Sequence, residues 1–155
     1  MRSVWLTGGL GLLLFVGLSI FLAPLEPSVL QLQFAFTPRA FGQIVHTWQA
    51  EGLARYRAHF PADFALALAY AAFGFLLAPR LAWIGPQAKR ARWLLPLAAA
   101  CDVIENTLHL WLTEAPRLDV FWPYPLAAGA ASFKWLLILA FATWVVVARL
   151  RTGDR

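Results

Sequence analysis

The chain has 155 residues, of which 61% are hydrophobic and only 14% are charged. Soluble domains carry about 25% charged residues, so this composition is typical of an integral membrane protein with a single domain. The net charge of +5 does not indicate nucleic acid as a partner, because the basic residues follow membrane topology, as described below. Cys101 is the only cysteine, which excludes an intramolecular disulfide.

The N-terminal stretch from about Val4 to Ala23 predicts a first membrane-spanning helix, since it can cross a hydrocarbon core of about 30 Å. A cleaved signal peptide is the alternative, but Phe21-Leu22-Ala23-Pro24 is not an A-x-A cleavage site, so we expect the helix to be retained. Its glycines predict close helix contacts: Gly8, Gly9, Gly11 and Gly17. The alternation of apolar and polar residues from Val29 to Phe36 then predicts a short extended segment.

An amphipathic helix is predicted from about residue 38 to residue 58. Thr37 is suited to its N-cap and Pro38 to its first position. One face is apolar, consisting of Phe41, Ile44, Val45, Trp48 and Tyr56, while Gln43, Thr47, Glu51 and Arg55 lie largely opposite. The helix is too polar to span a membrane, so we expect it on the membrane surface or capping the bundle, with a bend at Gly52.

Three further spans are predicted at about 61–84, 93–113 and 126–148, after a first span at about 4–23. Of the 13 Lys and Arg residues, eight fall on the side of the termini: Arg2, Arg80, Lys89, Arg90, Arg92, Arg149, Arg151 and Arg155. Four fall on the other side, and Lys134 lies inside a span; the four are Arg39, Arg55, Arg57 and Arg117. The positive-inside rule then places both termini in the cytoplasm and the amphipathic helix outside. We therefore predict an all-α bundle of four spans in the inner (cytoplasmic) membrane, with one outward-facing amphipathic helix.

The third span carries a stripe of four polar residues at i, i+3, i+4 and i+7: Asp102, Glu105, Asn106 and His109. An Asp at mid-helix costs about 2.5–3.5 kcal/mol, so these groups must be sheltered together. Lys134 of the fourth span lies at the depth of Glu105, each about 12 Å from the outer boundary, which predicts an ion pair. Asp63 and Tyr70, one heptad apart on the second span, are expected to face the same pocket.

Several interpretations of this polar pocket remain open. In an acid/base site, Glu105 or Asp102 would exchange protons, His109 would relay them, and Lys134, Asn106, Tyr70 and Asp63 would bind the ligand. In a structural interpretation, the Glu105–Lys134 pair and Asn106 fix helix packing and register. Asp102, Glu105, His109 and Asp63 also offer donors that suit zinc, iron or manganese. Lys134 would compete with a metal for Glu105, so we predict neither metal nor cofactor. Ion or proton transport is a weaker alternative, because no inverted repeat is visible.

One combination of motifs extends over most of the chain: Phe36-Thr37-Pro38, Trp48, Tyr56-Arg57, Asp63-Phe64 with Tyr70, and Asp102-x-x-Glu105-Asn106. It resembles small bacterial four-span membrane proteins of uncharacterised activity, and the resemblance implies no activity. The residues themselves favour an outward-opening polar pocket that binds or transforms a small amphiphilic or lipid-like molecule by acid/base chemistry. The alternative is a non-catalytic membrane subunit or assembly factor whose buried polar residues hold helices together. The expected partners are the bilayer and either a lipid-like ligand or a membrane protein.

Overall fold

The chain is helical in all three ranges that the computed structural model describes, residues 1–84, 87–115 and 117–153. Seven α-helices and one 3₁₀ helix follow in order: α1 (Arg2–Leu22), α2 (Val29–Gln33), α3 (Pro38–Ala58), α4 (Phe60–Leu77), a 3₁₀ helix (Ala78–Ile84), α5 (Gln87–Ala91), α6 (Leu94–Glu114) and α7 (Pro123–Gly153). No strand occurs in these ranges, which confirms the all-α class. Arg155 of the predicted basic tail lies outside the described residues.

Among the described residues, three helical segments are long and apolar enough to cross a membrane, namely Arg2–Leu22, Pro38–Leu81 and Pro123–Leu150. The second of these joins α3 to α4. α6 has 21 residues, the same length as α1. Its mean hydropathy is lowered by the polar stripe that begins at Asp102, so length and composition alone do not mark it as a span.

Four of the five long helices of the described ranges pack one against the next, with α1 against α4, α4 against α6, and α6 against α7. α1 contributes few buried residues, and Trp5, Leu6 and Leu13 on its outer face are each more than 70% exposed. Such an apolar exposed face is typical of a helix that faces lipid. Of the four glycines predicted to make close contacts, only Gly8 and Gly11 face α4, while a Cβ on Gly9 or Gly17 would meet nothing within 4 Å.

The prediction of an extended segment at 29–36 is wrong, because Val29–Gln33 forms the short helix α2. This turn buries Leu32 completely in an apolar cluster with Leu25 and Trp48, and it leaves Leu30 about half exposed. Trp48 also donates from Nε1 to the Pro27 carbonyl at 2.7 Å, which fixes the segment against α3. Burial of one leucine and this hydrogen bond therefore outweigh the alternating pattern.

α3 covers the predicted range and begins as predicted, since the Thr37 hydroxyl accepts a hydrogen bond from the Ala40 amide at 3.2 Å. Its bend lies at Gln49, where φ is 53° and ψ is −167°, and not at Gly52. A Cβ on Gly52 would lie 2.8 Å from the Trp48 side chain, so this glycine instead makes room for the indole.

α4 is shorter than the predicted span, because it ends at Leu77 and the chain continues as a 3₁₀ helix. Pro79 explains the change, since proline has no N–H to donate and so removes a hydrogen bond of the α-helical ladder.

Candidate functional site

The polar stripe of α6 is almost completely buried. Asp102, Glu105, Asn106 and His109 are each between 1% and 3% exposed. α6 lies between α4 and α7, so an inward-pointing stripe meets side chains from both of these helices. Buried polar groups need hydrogen-bond or charge partners, and the structure provides one for each member of the stripe.

Lys134 of α7 forms ion pairs with two carboxylates of α6. Its Nζ lies 2.7 Å from Glu105 Oε2, the contact that the matched depths predict. The same Nζ donates to Asp102 Oδ1 at 2.8 Å, a contact that the sequence did not predict. Asp102 and Glu105 are three residues apart on one helical face, so a single ammonium group can bridge them. Each charge in this triad would be costly if its partner were removed.

α4 contributes two further contacts to the stripe. The Tyr70 hydroxyl donates to Asp102 Oδ2 at 2.9 Å, and Asn106 Nδ2 donates to Asp63 Oδ2 at 2.7 Å. The structure thus brings Asp63 and Tyr70 to α6, as their heptad spacing predicts, and gives each of them one partner there.

α3 reaches the stripe through Tyr56, whose role the sequence analysis missed. The Tyr56 hydroxyl and His109 Nδ1 are 2.7 Å apart, and both side chains are buried. Arg57 beside it donates to the Leu110 carbonyl and to Thr113 Oγ1, both at 2.9 Å. A tyrosine on the apolar face of an amphipathic helix has the pattern of a core residue, so only the hydroxyl of Tyr56 could have signalled a polar partner.

A cavity of about 680 Å³ lies between α1 and α7. Asp63, Tyr70, Asp102 and Lys134 line it. Glu105, Asn106 and His109 are absent from its described lining and lie behind the wall. The predicted site residues therefore meet in one network, but only about half of them reach the cavity.

The cavity is long and mostly apolar. Along α1 it extends from Thr7 to Leu22, which corresponds to about 22 Å of helix. Asp102 and Lys134 lie part-way along this length, and apolar side chains line the walls on both sides of them. Leu12 and Phe15 line the cavity and are also 66% and 51% exposed, so the cavity reaches the apolar outer surface of α1.

The mouth of the cavity nearest α3 is crossed by α2. Trp135 of α7 donates from Nε1 to Gln33 Oε1 of α2 at 3.1 Å, and both residues line the cavity. α2 follows α1 in the chain and packs against α7, so this hydrogen bond ties α7 to the segment that extends α1.

A second cavity of about 980 Å³ lies between α3 and the segment around Leu118 and Tyr124. None of the polar residues of the α6 stripe lines it. Within the described residues, no group of three or more His, Cys, Asp or Glu side chains is arranged to hold a metal ion. Comparisons with protein-family models, with curated proteins and with solved structures found no match to this chain.

Proposed function

We propose that the protein is a four-span protein of the bacterial inner membrane that binds a small amphiphilic or lipid-like molecule in the cavity between α1 and α7. One observation carries this proposal: the buried Asp102–Lys134 pair lies in the wall of a long, otherwise apolar cavity. A few convergent polar groups in an apolar concavity are the usual form of a small-molecule site.

The proposed topology takes α6, the third span in chain order, as a membrane-spanning helix. Its polar stripe is buried, whereas Leu97, Val103 and Ile104 on its outer face are between 41% and 51% exposed, as expected for contact with lipid. The distribution of Lys and Arg supports cytoplasmic termini and an external α3. Alkaline phosphatase inserted before Thr37 should be active, and a fluorescent protein at the C-terminus should be bright. The reverse pattern would contradict this topology.

The ligand would place its polar group at Tyr70, Asp102 and Lys134 and its apolar chain along the deeper wall. From Asp102 to Leu95, α6 offers about 10 Å of helix below the polar group. Phe73 and Phe141 line this part of the cavity. Because the rim at Leu12 and Phe15 is apolar, a ligand dissolved in the bilayer can enter from the side.

Acid/base chemistry would fall to the groups that face the ligand. Asp102 and Tyr70 line the cavity and are hydrogen-bonded to each other, so a proton can pass between them and a ligand. Glu105 supports this pair from behind through Lys134, and His109 is bound to Tyr56. In this proposal Asp102 takes the proton-exchanging role, and Glu105 holds Lys134 in place.

The alternative function is a non-catalytic subunit or assembly factor. One observation favours it: each polar residue of the α6 stripe already has a partner within the protein. Such a network can serve only to fix helix packing and register.

Binding of an amphiphile to protein in phosphatidylcholine nanodiscs tests the proposal. The probe is a long-chain alcohol with a nitroxide on its chain, which quenches nearby tryptophan fluorescence. Trp135 lines the cavity, so the difference between wild type and Trp135→Phe isolates its signal from that of the other tryptophans. We expect saturable quenching of Trp135.

Two matched alanines on α7 provide the control. Ala142 is exposed and lines the cavity, whereas Ala140 is exposed and does not line it. Ala142→Phe should fill the deep end and abolish saturable quenching, and Ala140→Phe should leave it unchanged. Equal quenching in wild type, Trp135→Phe and Ala142→Phe would overturn the binding proposal and favour the structural alternative.

A further inference from the structure

We infer that the cavity between α1 and α7 selects amphiphiles with a cationic head group of the ammonium type, an inference that rests on the proposed function. Of the described residues that line the cavity, three carry carboxylates, Glu26, Asp63 and Asp102, and only Lys134 carries an ammonium group. A low-dielectric concavity with an excess of one charge concentrates ligands of the opposite charge.

The charge of Lys134 is already balanced. Its Nζ lies 2.8 Å from Asp102 and 2.7 Å from Glu105, and Glu105 adds another carboxylate immediately behind the cavity wall. An anionic head group such as a sulfate or phosphate would therefore be a third negative group around one ammonium. Juxtaposed like charges are strongly unfavourable in a site that excludes water.

Asp63 is the carboxylate with which a cationic head group would pair. It accepts a hydrogen bond from the neutral amide of Asn106 at 2.7 Å, and it forms no salt bridge within the described part of the chain. The arginines nearest in sequence are engaged elsewhere, since Arg57 donates to the Leu110 carbonyl and Arg55 to the Phe21 carbonyl. Neither arginine lines the cavity.

Aromatic rings beside these carboxylates provide a second, independent reason for a cation. Tyr70 and Trp135 both line the cavity, and the Tyr70 hydroxyl donates to Asp102 at 2.9 Å, which places its ring beside that carboxylate. Ammonium groups are attracted to aromatic faces within about 6 Å, and the attraction increases when water is excluded. Carboxylates and aromatic rings together recognise an alkylammonium group, including one with no N–H to donate.

Three nitroxide-labelled probes with the same alkyl chain test this selectivity in phosphatidylcholine nanodiscs. Their head groups are trimethylammonium, hydroxyl and sulfate. Quenching of Trp135 by each probe is compared between wild type and Ala142→Phe. The difference removes the quenching that comes from general partition of the probe into the bilayer. We expect the trimethylammonium probe to bind at least about tenfold more tightly than the alcohol, and the sulfate to bind more weakly than the alcohol.

Asp63→Asn should lower the preference for trimethylammonium over the alcohol by about tenfold. The new amide oxygen can still accept the hydrogen bond from Asn106, so the helix contact is preserved. Glu51→Gln is the matched control, because Glu51 is exposed on α3, does not line the cavity, and loses the same charge. It should leave the preference unchanged.

The outcomes separate this inference from the proposed function. Equal binding of the alcohol and the trimethylammonium probe, or tighter binding of the sulfate, would overturn the charge selectivity while leaving amphiphile binding in place. An unchanged preference in Asp63→Asn would overturn the pairing with Asp63. If none of the probes quenches Trp135 saturably, both the selectivity and the proposed function are wrong.

Discussion

The Asp102–Lys134 pair has different surroundings on its two sides, side-chain partners on one and a cavity on the other. Behind the pair, each residue of the α6 stripe that does not line the cavity meets another side chain, as His109 meets Tyr56 at 2.7 Å. On the side of α1, the pair faces a cavity of about 680 Å³ with apolar walls. The same buried charges thus contact neighbouring helices on one side and border a cavity on the other.

Glu105 and Asp102 show this difference at the level of single residues. Both pair with Lys134 and both are at most 3% exposed, yet only Asp102 lines the cavity. Pairing with Lys134 therefore does not by itself place a carboxylate at the cavity. The position relative to the gap between α1 and α7 does so, and under the proposed function substitutions on the two sides should have separable effects.

The largest effect is expected from Lys134→Met, which leaves Asp102 and Glu105 without their cation. Breaking a buried ion pair by removing one partner costs about 3–5 kcal/mol. Chemical unfolding in detergent should show this loss in the free energy of unfolding. The triple variant that adds Asp102→Asn and Glu105→Gln should recover most of it, because no unpaired charge remains. Wild-type stability in Lys134→Met would show that the ion pairs do not support the fold.

A smaller effect is expected from Tyr56→Phe on the α3 side. The variant leaves His109 Nδ1 buried without its partner, which should cost about 1–3 kcal/mol. Tyr124→Phe is the matched control, since its hydroxyl donates at 3.0 Å to the carbonyl of Arg117, an exposed residue that water can solvate. Equal losses in the two variants, measured by the same unfolding assay, would contradict a special role for the contact between α3 and α6.

The sequence predicts the long helices well because their signals are local. Apolar length defines α1 and α7, and the Thr37-Pro38 pair defines the start of α3. It predicts the Glu105–Lys134 pair because depth along two helices can be counted from their ends. It does not predict α2, since the burial of Leu32 depends on contacts with Leu25 and Trp48, which lie outside the alternating segment.

The site is predicted less completely than the fold. Helical periodicity places Asp102, Glu105 and His109 on one face, but it cannot show which of them meets a cavity. That distinction arises because α1 packs on α4 and leaves a gap beside α7, an arrangement that no local pattern encodes. The partner of His109 is likewise set by the way in which α3 folds back onto α6.

Asp102 and Glu105 can be compared directly by neutralising each carboxylate in turn. Asp102→Asn and Glu105→Gln each remove one negative charge and leave Lys134 with one carboxylate, so similar changes in stability are expected. Binding of the trimethylammonium probe should weaken about tenfold in Asp102→Asn and change little in Glu105→Gln, because only Asp102 lines the cavity. A larger loss of binding in Glu105→Gln would assign the ligand to the other side of Lys134.

The smallest effect is expected from two adjacent glycines of α1, which should respond in opposite directions. Gly9→Ala should stabilise the protein by about 0.4–1 kcal/mol, because its Cβ meets nothing within 4 Å and alanine reduces the freedom of the unfolded chain. Gly8→Ala would place a Cβ 2.9 Å from the Phe73 ring. Phe73 lines the deep part of the cavity, so a ring displaced into that space would weaken probe binding as well as packing. Thermal unfolding and Trp135 quenching of both variants check this contrast. Reduced binding in Gly9→Ala, or unchanged binding and stability in Gly8→Ala, would show that the gap between α1 and α7 is not the ligand site.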